Sequence, residues 1–191
     1  MINSELEIAT FAGGCFWCTE AIFKRLKGVQ GVNPGYSGGD LPTGGEKPSY
    51  EQVSSGNTGH AESVQIEFDP KVISYEELLE VFFKTHDPTT PNRQGNDVGE
   101  QYRSVIFYRD EDQKHNAAEI IKNLTKERLY QNKIVTEVIP FKNFFEAENY
   151  HQDYYDKNKS AGYCQVVIDP KITKLYKEFG QKIKEEYKNK T

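Results

Sequence analysis

Two cysteines three positions apart, Cys15 and Cys18, sit in the stretch Gly13-Gly14-Cys15-Phe16-Trp17-Cys18. The stretch holds the only tryptophan of the chain and two of its three cysteines. Thiols do chemistry as thiolates, so what matters is what surrounds the sulfur. An apolar-leaning run, Leu6 to Ala12, precedes the stretch and reads as a strand. Ala21, Ile22 and Leu26 follow it at helical spacing. Cys15 then sits where strand turns to helix, facing unpaired N–H groups and the positive end of the helix dipole. That position lowers a thiol pKa and stores the thiolate. Gly13 and Gly14 permit a tight bend and the close approach of a substrate. Phe16 and Trp17 put aromatic walls beside the sulfur. The first reading is a nucleophilic cysteine beside an apolar pocket.

Other chemistries use the same spacing. Two buried cysteines can pack as small apolar groups. A zinc-bound binding module needs about four ligands. Only Cys164 and the scattered His60, His86, His115 and His151 are available to complete such a set. A general dithiol–disulfide exchanger fits strand, Cys-x-x-Cys, helix. The bulky Phe16-Trp17 insert favours a pocket for an apolar substrate over a flat surface for docking a protein disulfide.

Other groups join the cysteine. Val64, Ile66 and Phe68 alternate along the strand Ala61 to Asp69, and Glu62 shares their parity. A carboxyl group therefore points inward, where desolvation keeps its proton on. Such an acid donates to a developing oxygen charge. Tyr36, Tyr50 and Tyr102 lie in or beside polar, glycine-rich segments, and phenols donate hydrogen bonds to an oxyanion or an S=O oxygen. Asp97 lies between Arg93 and Arg103 in a segment that reads equally as a salt-bridged loop. Cys164 follows Gly162-Tyr163 on a turn and becomes a resolving thiol if Cys15 is the nucleophile.

The elements that position these groups interleave. A short strand is expected near Val29 to Val32, and Asp40 to Gly59 reads as a long loop. Ser74-Tyr75-Glu76-Glu77 opens a helix with a capping box, and the helix stops near His86-Asp87-Pro88. Thr89 to Gly99 reads as a second loop and Arg103 to Arg109 as a strand. Asp110 to Gln131 reads as a long helix, Lys133 to Ile139 as β-rich, and Glu146 to Lys157 as a polar helix. Ser160 to Cys164 is a turn, Gln165 to Ile168 a short apolar run, and Ile172 to Lys188 a charged helix or tail. Such alternation points to α/β or α+β layers.

The totals set outer bounds. The chain has 191 residues, enough for one domain with a real core. A net charge of −5 argues against general nucleic-acid binding. No window approaches the ~20 apolar residues of a membrane span. Met1 to Glu7 carries two acids and no basic-then-apolar pattern, so a cytoplasmic location is expected. Residues 1–191 are expected to form a single catalytic domain acting as a monomer, with 171–191 a charged C-terminal helix or tail.

Read together, these segments resemble the peptide methionine sulfoxide reductases of type A. The resemblance runs through Gly13-Gly14-Cys15-Phe16-Trp17, Gly35-Tyr36-Ser37-Gly38-Gly39, Tyr50 and Gly59-His60-Ala61-Glu62. It continues through His86-Asp87-Pro88, Arg93-Gln94-Gly95-Asn96-Asp97, Gln101-Tyr102-Arg103-Ser104 and Gly162-Tyr163-Cys164. It implies an α+β two-layer fold with a ferredoxin-like plait core, helices on a mixed sheet, and long loops. It implies Cys15 as nucleophile on the sulfoxide sulfur and Glu62 as proton donor to the oxygen. Tyr50 and Tyr102 would hydrogen-bond that oxygen, and Asp97 would fix the polar side. Phe16 and Trp17 would hold the substrate methyl, with Gly14 and His60 nearby. Cys164 would resolve the sulfenic acid as a disulfide, with Cys18 as rival or relay partner. Thioredoxin or a small dithiol would reduce that disulfide. No metal or organic cofactor is implied. The implied substrates are the S epimers of protein-bound and free methionine sulfoxide. The chain departs from the family pattern at Cys18, a position often occupied by glycine, and in having no cysteine after Cys164.

Overall fold

Alternating apolar side chains build the sheet, and helical ones cover it. The computed structural model describes residues 5–40 and 47–188. β1 (Glu7–Gly13) runs into α1 (Phe16–Lys24), and β2 (Val29–Ser37) follows. α2 (Tyr50–Ser54), β3 (Ala61–Phe68) and α3 (Tyr75–Thr85) come next. β4 (Arg93–Gln94) and β5 (Asp97–Val98) form a small ribbon before β6 (Ser104–Tyr108) and α4 (Glu111–Lys126). β7 (Glu137–Pro140), β8 (Phe144–Glu146), α5 (Tyr154–Lys157), α6 (Asp169–Phe179) and α7 (Glu185–Lys188) complete the chain.

The main sheet is mixed, in the order β7-β6-β1-β3-β2-β8. Only the β6–β7 pair is parallel among these neighbours. Phe11 on central β1 meets Phe23 of α1 and Phe82 of α3, with ring centroids 5.7 and 5.0 Å apart. Both helices therefore lie on one face of the sheet. Val64, Ile66 and Phe68 are wholly buried under them, as their parity predicts. A smaller cluster of Ala12, Ala61, Val105 and Phe107 fills the other face. α3 starts at the predicted capping box: Ser74 Oγ accepts from the Glu77 N–H, and Glu77 Oε2 from the Ser74 N–H. It ends at Thr85, one residue before His86. His86 bridges the Phe82 carbonyl and Ser104 Oγ, tying the end of α3 to β6.

Several segments differ from their sequence pattern. β2 does not stop at Val32 but runs to Ser37, through residues whose glycines read as loop. A side chain at Gly35 would strike Phe144, so the glycine is what lets β8 pair alongside. The predicted loop Asp40 to Gly59 contains α2, with its own capping box between Ser49 and Gln52; residues 41–46 lie outside the described residues. The predicted helix Glu146 to Lys157 is broken. Its first residue closes β8, Asn149–His151 form a 3-10 turn, and Asp153 takes a left-handed φ of 58° before α5. The long helix ends at Lys126 and not Gln131, with Arg128 also left-handed at φ 54°. The apolar run after Cys164 is a wide helical turn, Cys164–Ile168, that leads into α6. The charged segment beyond is docked: Leu175, Phe179, Ile183 and Tyr187 are buried. Among the described residues, no helix is long and apolar enough to cross a membrane.

Candidate active site

The end of β1 and the start of α1 place the cysteine. Gly14 has φ +95°, and a Cβ there would overlap the Gln94 side chain. Cys15 occupies the N-cap position of α1, and its carbonyl accepts from the Cys18 N–H at 3.1 Å. A cavity of about 180 Å³ opens beside it, lined by Cys15, Phe16, Trp17, Tyr50, Glu62, Asp97, Tyr102 and Tyr163. Seven of these were singled out from sequence; the structure adds Tyr163. Two predicted substrate contacts do not line the cavity. Gly14 is filled against Gln94. His60 is buried just before the start of β3, edge-on to Phe145 at 5.6 Å and against Gly39, and both its ring nitrogens lack partners among the described residues.

Glu62 points in, as its parity predicts. It is 2% exposed and pairs with Tyr36 across the sheet. Its Oε2 accepts from the Phe16 N–H, the first turn of α1, at 3.0 Å. Burial, aided by the Asp97 and Cys18 charges and opposed by the Phe16 N–H, pushes its carboxyl up to about 8. At neutral pH it carries a proton in a cavity shared with a thiol.

The thiols behave differently from the expectation of a resting Cys15 thiolate. Burial pushes the Cys15 thiol well above its usual value, and its contact with Cys18 and the Glu62 charge act the same way. Cys18 is brought down to about 7, chiefly by the Cys15 hydrogen bond, against burial and with help from Lys171. The two thiols therefore titrate as one coupled pair, with burial opposing the anion on Cys15. The N-cap position alone does not win against desolvation. Cys164 shares the same buried cluster. Burial raises its thiol, and the Asp169 and Cys18 charges add to that. All three cysteines are free. Among the described residues, no group of three or more His, Cys, Asp or Glu side chains is arranged to hold a metal ion.

Phenols complete the polar side. Tyr163 O–H donates to Asp97 Oδ2 at 2.8 Å and lies 3.9 Å from Cys18 Sγ. Burial and the Glu62 charge push Tyr50 up to about 12 and raise Tyr102 too, so both remain donors. Tyr50 is held by Glu148, whose Oε1 accepts the Tyr50 N–H at 3.0 Å and Oε2 the Tyr36 O–H at 2.8 Å.

The aromatic side has partners that sequence reasoning left in a polar helix. Trp17 Nε1–H donates to His151 Nδ1 at 3.0 Å, which fixes the proton of a neutral His151 on Nε2. Tyr154 stacks on Trp17 at 3.6 Å with planes 6° apart. His151 also lies 4.9 Å from the Phe16 ring and 4.6 Å from the Tyr50 ring. The cluster Tyr150-His151 and Tyr154-Tyr155 was the available signal.

Known proteins are similar to this chain in sequence and fold. Residues 7–183 match the family model described as peptide methionine sulfoxide reductase. The chain is 60% identical over 177 residues to peptide methionine sulfoxide reductase MsrA of Sulfolobus acidocaldarius, covering 93% of this chain and 97% of that one. It is 56% identical over 179 residues to the MsrA of Saccharolobus solfataricus, covering 94% and 98%. The reduced form of Mxr1 from Saccharomyces cerevisiae superposes with a TM-score of 0.76 at 37% identity, covering 85% of this chain and 91% of that one. Mxr1 in complex with Trx2 matches with a TM-score of 0.53 at 28% identity, covering 80% and 86%. A thiol-bearing cavity with a buried acid and this breadth of match lead to one conclusion: the chain belongs to the peptide methionine sulfoxide reductase family, enzymes that are oxidoreductases.

Proposed function

We propose that the chain reduces the S epimer of methionine sulfoxide with Cys15 as nucleophile and Glu62 as acid. The observation that carries this is the buried Glu62 carboxyl, protonated up to about 8, in the cavity that Cys15 lines. Cys15, not Cys18, lines the cavity, so the pair reacts with its anion on Cys15 and its proton on Cys18. The Cys15 thiolate attacks the sulfoxide sulfur, and Glu62 protonates the oxygen. The protonated oxygen passes from the substrate sulfur to Cys15 Sγ as the S–O bond and the newly formed S–S bond break, so methionine leaves reduced by two electrons and Cys15 is oxidised by two to a sulfenic acid. Tyr50 and Tyr102 donate to the oxygen, Asp97 orients Tyr163, and Phe16 and Trp17 enclose the methyl group.

The sulfenic acid is then resolved by a thiol, with loss of water. The low pKa of Cys18 and its hydrogen bond to Cys15 favour Cys18 as first resolver, where the sequence alone favoured Cys164. Cys164 stands behind it in the same cluster. Thioredoxin, the class of partner seen on Mxr1, reduces the resulting disulfide. No bound metal or organic cofactor enters these steps. The order β6-β1-β3-β2, all antiparallel and joined through α1 and α3, supports a ferredoxin-like plait as the core. The deciding experiment follows both sulfur epimers of a blocked methionine sulfoxide with a small dithiol. Selective loss of the S epimer supports the reading; loss of neither, or of both equally, overturns it.

A further inference from the structure

α1 grips the 149–157 turn with one stripe of side chains. Trp17, Glu20 and Lys24 lie at i, i+3 and i+7, which puts them on one face of the helix. Trp17 meets His151 and Tyr154. Lys24 pairs with Asp153, and the next residue, Arg25, pairs with Asp156 at 2.8 Å. Glu20 sits between these contacts, 2% exposed, and its Oε1 accepts from the Asp153 N–H at 2.7 Å. Asp153 holds the left-handed φ of 58° that breaks the helical pattern, a conformation uncommon for a residue other than glycine. The buried Glu20 carboxylate on its N–H is one contact that holds this backbone in place.

We infer that the Glu20 carboxylate is a positioning residue that holds the 149–157 turn, and through it Tyr154 and His151, against Trp17. Nothing in the reaction described above uses Glu20. Its role explains why a carboxylate is kept inside at all. Burial, reinforced by the Asp153 charge, raises it to about 7, against the Asp153 N–H and the Lys24 charge. Keeping that group is costly, and its return is one fixed conformation of the tryptophan wall. The consequence for substrate rests on Trp17 enclosing the substrate methyl, as proposed above. The consequence for Trp17 itself does not.

The test uses the chain's single tryptophan as its own probe. In the full-length protein, Glu20→Ala is expected to shift Trp17 emission to the red and to raise KM for a methyl sulfoxide substrate about tenfold, with kcat within about twofold. Glu20→Gln keeps one acceptor for the Asp153 N–H and is expected to restore most of both. Tyr154→Ala is expected to give the same shift, and the double variant is expected to be no worse than either alone. A folded Glu20→Ala with wild-type emission overturns the inference, as do equal effects of Ala and Gln or additive effects in the double variant. If Glu20→Ala does not fold, Glu20→Asp, one methylene too short, replaces it with the same readouts. If the wild type turns over no sulfoxide, the functional reading fails, and the emission arm alone still decides the role of Glu20.

Discussion

Glu62 should make the protein less stable as pH rises, and its removal should reverse that. Its carboxyl moves from the ordinary 4.5 in the unfolded chain to about 8 in the fold. The unfolded chain therefore releases this proton first, so stability falls between those two pH values and levels off above them. The whole move is worth about 5 kcal/mol at ~1.4 kcal/mol per tenfold, of which about 3 kcal/mol falls between roughly pH 5.5 and 8.5. Glu62→Gln keeps an oxygen for the Phe16 N–H and has no proton to lose. Denaturant unfolding of both proteins at the two pH values reads this group together with the thiol pair coupled to it, because titrations remote from the cavity cancel in the difference. The variant should gain about 3 kcal/mol on the wild type from the lower to the higher pH, or about 6–12 °C in Tm for a chain of this size. The same variant should lose about 10²–10⁴-fold in the first-turnover rate. A relative gain under about 1 kcal/mol, or a rate loss under tenfold, would refute the reasoning.

Other outcomes follow from the same geometry. Cys15→Ser should be inactive with thioredoxin or any dithiol, and residual turnover near wild type would remove Cys15 as nucleophile. The first-turnover rate should rise through about 7 with the Cys15–Cys18 pair and fall through about 8 as Glu62 ionises. The alkaline limb should vanish in Glu62→Gln. After one turnover without reductant, Cys18→Ser should retain a sulfenic acid at Cys15 that a dimedone-type reagent traps, while Cys164→Ser should still form a disulfide. The opposite result would make Cys164 the resolver. His151→Leu removes the acceptor for the Trp17 indole N–H and should raise KM about tenfold with little change in kcat, read by steady-state kinetics.

Much of the site was legible because its signals are local. Period-two alternation put Glu62 on the same face as Val64, and the ladder does place that side chain at the cavity. Cys15, Phe16 and Trp17 were marked by type and crowding alone. What the sequence hid was long-range. Tyr163 carries no mark on its own; it matters because the turn after α5 brings it to Asp97. His151 and Tyr154 read as a polar helix because their periodicity is helical, and only a left-handed Asp153 breaks it. The extent of β2 was missed because Gly35 reads as loop, although its bare backbone is what admits a sixth strand. The thiol pKa was misjudged because a helix N-terminus is visible in sequence and burial is not.

The two outer strands of the sheet bear on self-association. β7 has four residues and β8 three, and each starts or ends on a glutamate. Pro140 closes β7 with no N–H to offer. Short borders that carry a charge, and in β7 a terminal proline, resist the addition of a foreign strand. In the main sheet these borders leave little free ladder for a bound peptide to extend.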